Sequence, residues 1–256
     1  MIALSNLPKP AIIAHRGASA YAPENTLAAF KLALQQGADA IELDAKLSAD
    51  GHVVVIHDKT VDRTTPLHGN VRDFIMADLH KMDAGSHYDV TFRGEPIPTL
   101  EEVIKAVGQL TYINVELTNY ASPMDSLSDK VAELVKRYKL VPRVFFSSFL
   151  IFPLLRIHRL LPEVPISLLL APGKRGKLSR SLMNRFVPHH NLHLALRDVT
   201  GKLVEEVHRQ SRKIFVYTVN EETDLRRLFE LGVDGVFTDD PLLAQAVLKD
   251  VQRSTP

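Results

Sequence analysis

The 256-residue chain has no cysteine and no tryptophan. Without cysteine, disulfides, thiolate-held metals and thiol nucleophiles are excluded, so any metal must be held by His, Asp, Glu or backbone oxygen. An excess of charge of one sign is also missing: 31 Lys and Arg face 30 Asp and Glu, for a formal net charge of +1. This balance gives no general attraction to nucleic acid or to an anionic membrane, and any pull on a substrate must be local. No window approaches the ~18 uninterrupted apolar residues of a spanning helix. The first ten residues, with two prolines and no basic segment ahead of a long apolar run, do not read as a signal peptide. The expectation is a soluble cytoplasmic protein with no nucleic-acid partner and no stable membrane insertion. A G-x-G-x-x-G turn is absent too, which weighs against a doubly wound dinucleotide-binding sheet.

What is present is an alternation. Hydrophobic residues make up 45% of the chain, enough for a sizeable core. Short β-branched runs at 11–14, 40–47, 53–56, 112–117, 144–146, 165–170, 214–219 and 235–237 alternate with helical periodicities, while 172–193 has no clear period. Strands alternating with helices predict a parallel sheet with right-handed crossovers. About eight such units predict a closed α/β barrel, a (β/α)8 TIM barrel, spanning residues 1–256 as one domain. Residues 58–98 break the rhythm and are too long for an ordinary βα loop. They are expected to form a small inserted cap subdomain after the third strand, over the carboxyl-terminal face.

The polar residues that follow the strands carry the chemistry. His15-Arg16-Gly17 places an imidazole, a phosphate-matching guanidinium and a permissive backbone at a strand end. Asn25 and Thr26 read as a helix cap, and Glu24 as a brace for the His15 loop. Glu42 and Asp44, two apart on a strand, share one face. Two buried carboxylates repel each other unless a cation relieves them, and oxygen-only ligation favours Mg²⁺ or Ca²⁺ over Zn²⁺. The plainer alternative is a single carboxylate paired with Arg16 or Lys46. Glu116 adds a third carboxylate from another strand. His57-Asp58 ends the third apolar run and supplies a second imidazole. Two groups that titrate near neutrality suit a phosphodiester, whose cleavage needs one proton removed and one delivered.

These residues resemble the glycerophosphodiester phosphodiesterase family. The resemblance runs in order through His15-Arg16-Gly17, Glu24-Asn25-Thr26, Glu42-x-Asp44, Asp50-Gly51, His57-Asp58 and Asp62-Arg63-Thr64-Thr65. It continues through Ile97-Pro98-Thr99-Leu100-Glu101-Glu102, Glu116, Ser147-Ser148-Phe149, Thr218-Val219-Asn220 and Gly235-Val236-Phe237-Thr238-Asp239. Each motif alone is weak; the ordered set is specific. The resemblance implies metal ligation by Glu42, Asp44 and Glu116, acid–base work by His15 and His57, and phosphate contact by Arg16. It also implies hydrolysis of a small glycerophosphodiester to an alcohol and glycerol 3-phosphate. Two positions depart from the family. Thr118 stands where a lysine is usual, so either Lys46, on the face of Glu42 and Asp44, partly replaces that cation or the substrate pocket has changed. Tyr217 stands where a tryptophan is common, which keeps an aromatic wall and adds a hydroxyl. A lysophospholipase D-type activity on the same site stays open through the apolar stretch Phe145-Phe146 and Phe149 to Leu155, as does a phosphodiester-binding barrel without turnover.

Overall fold

The chain alternates strands β1 (Ala11–Ala14), β2 (Ala40–Leu47), β3 (Val53–Val55), β4 (Tyr112–Leu117), β5 (Val144–Ser148), β6 (Ile166–Leu170), β7 (Asn191–Ala195), β8 (Lys213–Tyr217) and β9 (Gly235–Thr238) with helices in this computed structural model, which describes residues 4, 6–173 and 189–254. The sheet runs β1-β9-β8-β7-β6-β5-β4-β2-β3, and an added β1–β2 pairing closes it. The eight strands other than β3 pair in parallel around the ring. This is the TIM barrel that the alternation predicts.

The helices α1 (Leu27–Gln35), α3 (Leu100–Val107), α4 (Leu127–Arg137), α5 (Ile151–Leu160), α6 (Gly201–Arg209), α7 (Glu222–Glu230) and α8 (Pro241–Ser254) bury one stripe each, and α2 (Met76–Leu79) is a single turn in the 58–98 segment. In α3 the buried stripe is Leu100, Val103, Ile104 and Val107, the spacing of one helix face. A capping box of Thr99 and Glu102 starts that helix. Outward strand residues such as Leu43, Val115, Phe146 and Val216 pack with these stripes into the main core. Inward residues Ala11, Ile13, Phe145, Phe215 and Phe237 form a second cluster inside the barrel.

The third run and the unassigned stretch differ from the reading of the sequence. Val53–Val55 is not a stave of the barrel: it pairs antiparallel with β2, with Ala45 opposite Val55 and Leu47 opposite Val53. The reason is the short turn between them. Gly51, at φ 79°, donates its amide to the Ser48 carbonyl, and the Ser48 amide donates to the His52 carbonyl. So tight a reversal makes a hairpin, whereas a parallel return needs a crossover of a dozen residues or more. His57 therefore reaches the carboxyl-terminal rim of the barrel from above, on a descending chain, rather than from the end of a stave. The missing stave is β7, whose inward Asn191 and His193 interrupt the apolar run that would have marked it. Residues 174–188, within the stretch without clear period, lie outside the described residues.

Within 58–98 a third cluster joins Val61, Val71, Met76, Leu79, Met82, Ala84 and Ile97 to Val54 and Ile56 beside the hairpin. Tyr88 donates its hydroxyl to the Ala20 carbonyl at 2.6 Å, and the Glu95 carboxylate accepts from the Ala28 amide at 3.0 Å. The segment is thus tied to the loop after β1 and to the start of α1. Leu79 is fully buried in its cluster. Leu79→Ala should cost about 2–5 kcal/mol of stability, read as a lowered midpoint in thermal or denaturant unfolding. An unchanged midpoint would mean that the cluster contributes nothing to folding.

Candidate active site

β2 and β4 lie side by side, with Glu42 opposite Asn114 and Asp44 opposite Glu116. Their inward side chains fill two successive levels of the barrel. One oxygen each from Glu42, Asp44 and Glu116 lies within 4.8 Å of the others. Glu42 and Asp44 are almost fully buried. Burial and then the charges of Asp44 and Glu116 push Glu42 well above the ordinary carboxylate range. Burial and then Asp44 push Glu116 up to about 8. Three oxygen donors at this spacing, unable to ionise together, are a donor set suited to a hard divalent cation.

Partners hold each carboxylate in place. The Arg16 amide donates to Glu42 Oε2 at 2.9 Å, Asn25 Nδ2 donates to Asp44 Oδ2 at 2.9 Å, and the Tyr120 hydroxyl donates to Glu116. Arg16 and Asn25 both take positive φ, 56° and 59°, a conformation that costs a non-glycine residue energy and is held here by these bonds. Gly17 cannot be replaced in this turn: at φ 85° an added Cβ would lie 2.7 Å from the Ala29 backbone. Thr26 caps α1 as its residue type predicts, accepting from the Ala29 amide at 3.3 Å. Asn25 does not cap; it serves Asp44.

Each histidine has its own carboxylate. His15 Nδ1 donates to Asp239 Oδ1 at 2.7 Å, across the β1–β9 seam. Burial alone would raise the pKa of Asp239, but hydrogen bonds from His15, Asn220 and Ser19 and the His15 charge bring it below the ordinary value. His57 Nδ1 donates to Asp58 Oδ1 at 2.7 Å. Hydrogen bonds from Arg63, and then from His57, hold Asp58 at about 2. Because an ionised carboxylate can only accept, both imidazoles carry a proton on Nδ1, which leaves Nε2 for chemistry. Arg63 also bonds both oxygens of Glu24 at 2.7 Å, and Glu24 takes a 3.0 Å bond from Arg16. A continuous chain of charges, His57–Asp58–Arg63–Glu24–Arg16, thus joins the 58–98 segment to the β1 loop. Glu24 braces that loop as expected. Asp58, Arg63, Asn220 and Asp239 stand in the sequence motifs, but the sequence assigned them no role.

A cavity of about 270 Å³ is lined by His15, Arg16, Glu42, His57, Glu116 and Tyr217, among others. The structure brings these predicted residues together. Lys46 and Thr118 lie instead around a neighbouring cavity of about 560 Å³, which shares His57 and Tyr120 with the first. Lys46 Nζ donates to Thr118 Oγ1 at 2.7 Å and to its carbonyl at 3.1 Å. The ammonium therefore rests directly on the residue that departs from the family pattern. Burial lowers its pKa from the ordinary lysine value, against the charges of Asp44, Glu116 and Asp58. The Tyr217 ring lines the smaller cavity, but its hydroxyl donates to the Leu170 carbonyl and so braces the wall. Of the apolar stretch, Phe145 and Phe146 are fully buried and offer no acyl groove, whereas Phe149 lines the smaller cavity and Phe152 is exposed. Among the described residues no helix is long and apolar enough to cross a membrane.

The raised carboxyls make the metal-free protein sensitive to alkali. A group whose folded pKa is raised adds stability below its unfolded pKa and loses it as pH climbs through the folded value. Glu116, with a folded value of about 8, should make the metal-free unfolding temperature fall between roughly pH 4.5 and pH 8. Thermal scans in EDTA test this, and a divalent cation should restore most of the loss at the alkaline end. A flat profile with no response to cations would contradict the electrostatic account.

A family model for the glycerophosphoryl diester phosphodiesterase family matches residues 15–243. The chain is 39% identical over 234 residues to a glycerophosphodiester phosphodiesterase of Caldanaerobacter subterraneus subsp. tengcongensis, covering 91% of this chain and 95% of that one. It is 34% identical over 245 residues to one from Bacillus altitudinis, covering 94% and 99%. An Oleispira antarctica phosphodiesterase, solved in complex with the product sn-glycerol-3-phosphate, superposes with a TM-score of 0.86 at 31% identity, covering 96% of this chain and 99% of that one. The glycerophosphodiester phosphodiesterase from Agrobacterium tumefaciens gives a TM-score of 0.80 at 33% identity, covering 92% and 99%. With its fold, its ordered motifs and these likenesses in agreement, the chain belongs to the glycerophosphoryl diester phosphodiesterase family.

Proposed function

We propose that this protein hydrolyses glycerophosphodiesters to an alcohol and sn-glycerol 3-phosphate, with His15 and His57 as its acid–base pair. The observation that carries this reading is one cavity lined by Arg16, two metal-suited carboxylates and two histidines, each braced by its own aspartate. Glu42, Asp44 and Glu116 would hold Mg²⁺ or Ca²⁺, which when bound supplies positive charge to the phosphoryl oxygens. Arg16 adds a fixed guanidinium at the same wall. One histidine takes the proton from the nucleophile, either water or the substrate's own glycerol hydroxyl, and the other gives one to the departing alkoxide. Residues 58–98 act as a cap subdomain: through Arg63 they fix the Asp58 carboxylate, and through it the His57 ring. The larger cavity, which shares His57 and is walled in part by Lys59, Val71 and Arg72 of this segment, would take the alcohol.

His15→Ala and His57→Ala should each lower kcat on glycerophosphocholine by roughly 10²–10⁴-fold, with the fold retained by circular dichroism. Full activity in either variant would refute the assignment, and EDTA should abolish turnover reversibly in the wild type. Lys46 is the cation that partly replaces the lysine lost at Thr118. Lys46→Met should raise KM or lower kcat by roughly tenfold or more, as expected for loss of a charge-assisted contact. Kinetics close to wild type would remove Lys46 from the site. The 560 Å³ cavity, whose walls include Leu47, Val71 and Ala121, supports a second reading, lysophospholipase D-type cleavage. Assay of glycerophosphocholine beside lysophosphatidylcholine separates the two. Binding of both without turnover would instead indicate a silent phosphodiester-binding barrel.

A further inference from the structure

Across the barrel from the carboxylates lies a polar group that the acid–base reading leaves unused. β7 is four strands round the ring from β2, so its inward side chains face Glu42 and Asp44 across the interior. His193 is the middle residue of β7, in register with Leu169 and Phe215. Its imidazole is 1% exposed and is surrounded by aromatic rings: Phe237 at 4.7 Å, Phe215 at 5.6 Å and Phe145 at 6.3 Å between centroids. It also lines the 270 Å³ cavity, together with Phe237 and the catalytic histidines. Its Nε2 is buried and has no hydrogen-bond partner among the described residues. A histidine placed only to fill aromatic space would be better replaced by phenylalanine, because an orphaned buried nitrogen is costly. Other polar groups of the lining are already served: Asn114 Nδ2 bonds Ser147 Oγ at 3.0 Å, and the Tyr217 hydroxyl bonds Leu170.

We propose that His193 is the floor of a polyol subsite, where it hydrogen-bonds the terminal hydroxyl of the glycerol moiety while the phosphate lies against Arg16. This proposal rests on the hydrolase reading and goes further by saying which end of the substrate enters the barrel and what recognises it. The chemistry fits a neutral hydroxyl. Burial pushes the imidazole down to about 3, so it is uncharged at working pH and can either donate or accept. The surrounding rings pack against the carbon chain and exclude water. His193 touches no reacting atom in this arrangement; it is a specificity residue.

The test uses two diesters of choline. One carries glycerol and the other propane-1,2-diol, which keeps the secondary hydroxyl and lacks the terminal one. The wild type should favour the glycerol diester by roughly tenfold or more in kcat/KM, the size of one well-made hydrogen bond in a closed site. His193→Phe should abolish the preference, mainly through KM, by lowering kcat/KM on the glycerol diester roughly tenfold more than on the propanediol diester. His193→Gln, which keeps a hydrogen-bonding group, should restore part of it. Equal wild-type rates on the two diesters, an unchanged preference in His193→Phe, or an equal loss on both would overturn the proposal. If His193→Phe does not fold, the wild type still decides the matter by product inhibition. Glycerol 3-phosphate should inhibit roughly tenfold more tightly than propane-1,2-diol 1-phosphate, and equal inhibition refutes the subsite. Hydrolysis of neither diester would sink the hydrolase reading instead. In that case, calorimetry with the same two phosphates would still accept or reject the His193 contact.

Discussion

The site is organised by the repulsion among Glu42, Asp44 and Glu116, whose oxygens converge within 4.8 Å. Two adjacent parallel strands in fixed register leave these side chains no means of separating: Asp44 faces Glu116, and Glu42 sits one pleat below Asp44. Burial adds to the cost, because the charged forms lose their water. The surrounding structure then reads as a set of responses. An amide from a strained Arg16, an amide group from a strained Asn25 and the Tyr120 hydroxyl each take one carboxylate. They orient the oxygens without neutralising them. Arg16 itself stands 3.3 Å from Asp44 through Nε, an ion pair that lacks hydrogen-bond geometry. The negative charge is therefore only partly compensated by protein, which is the condition for attracting a cation.

The two histidines are supported in physically different ways. Asp239, which holds His15, comes from the far end of the chain across the closing β1–β9 pairing. Its position depends on the barrel being closed. Asp58, which holds His57, is the adjacent residue and depends on Arg63 and Glu24 for its direction. One imidazole thus reports on the barrel and the other on the 58–98 segment. A reaction that needs both would couple the two parts of the structure, because a shift of the segment would disturb His57 directly and reach His15 only through the loop that Glu24 and Arg16 hold.

This difference also explains what could be read from the sequence. Glu42 and Asp44 were legible because strand alternation fixes their shared face whatever the neighbours are. His15, Arg16 and His57 were legible as polar residues closing apolar runs. The role of Asp239 was not legible: a contact across 224 positions exists only once the barrel closes, and no local pattern encodes it. β7 was hidden for the same reason that it matters, since inward Asn191 and His193 break the apolar run that announces a stave. β3 misled in the opposite direction. It has a strand's composition, and only the five-residue connection before it says that the chain reverses. Counting β3 and omitting β7 gave the right number of staves by two offsetting errors. Lys46 was placed on the correct strand face, yet its length carries Nζ out to Thr118, toward the neighbouring cavity, and side-chain reach is not a property of strand period.

The barrel interior also has a direction. Toward the rim lie carboxylates, a guanidinium and two histidines that keep a proton on Nδ1. Toward the base lie Phe145, Phe215, Phe237 and a histidine held neutral by burial. A charged group entering this interior is stabilised only at the top, where countercharge exists, and a neutral carbon chain only below, where rings replace water. A phosphodiester carries both kinds of surface, so a gradient of this kind would favour one orientation of a bound diester over the other. In the proposed reading the phosphate would stop at the level of Arg16, the polyol arm would lie toward His193, and the alcohol would be left toward the cavity beside His57.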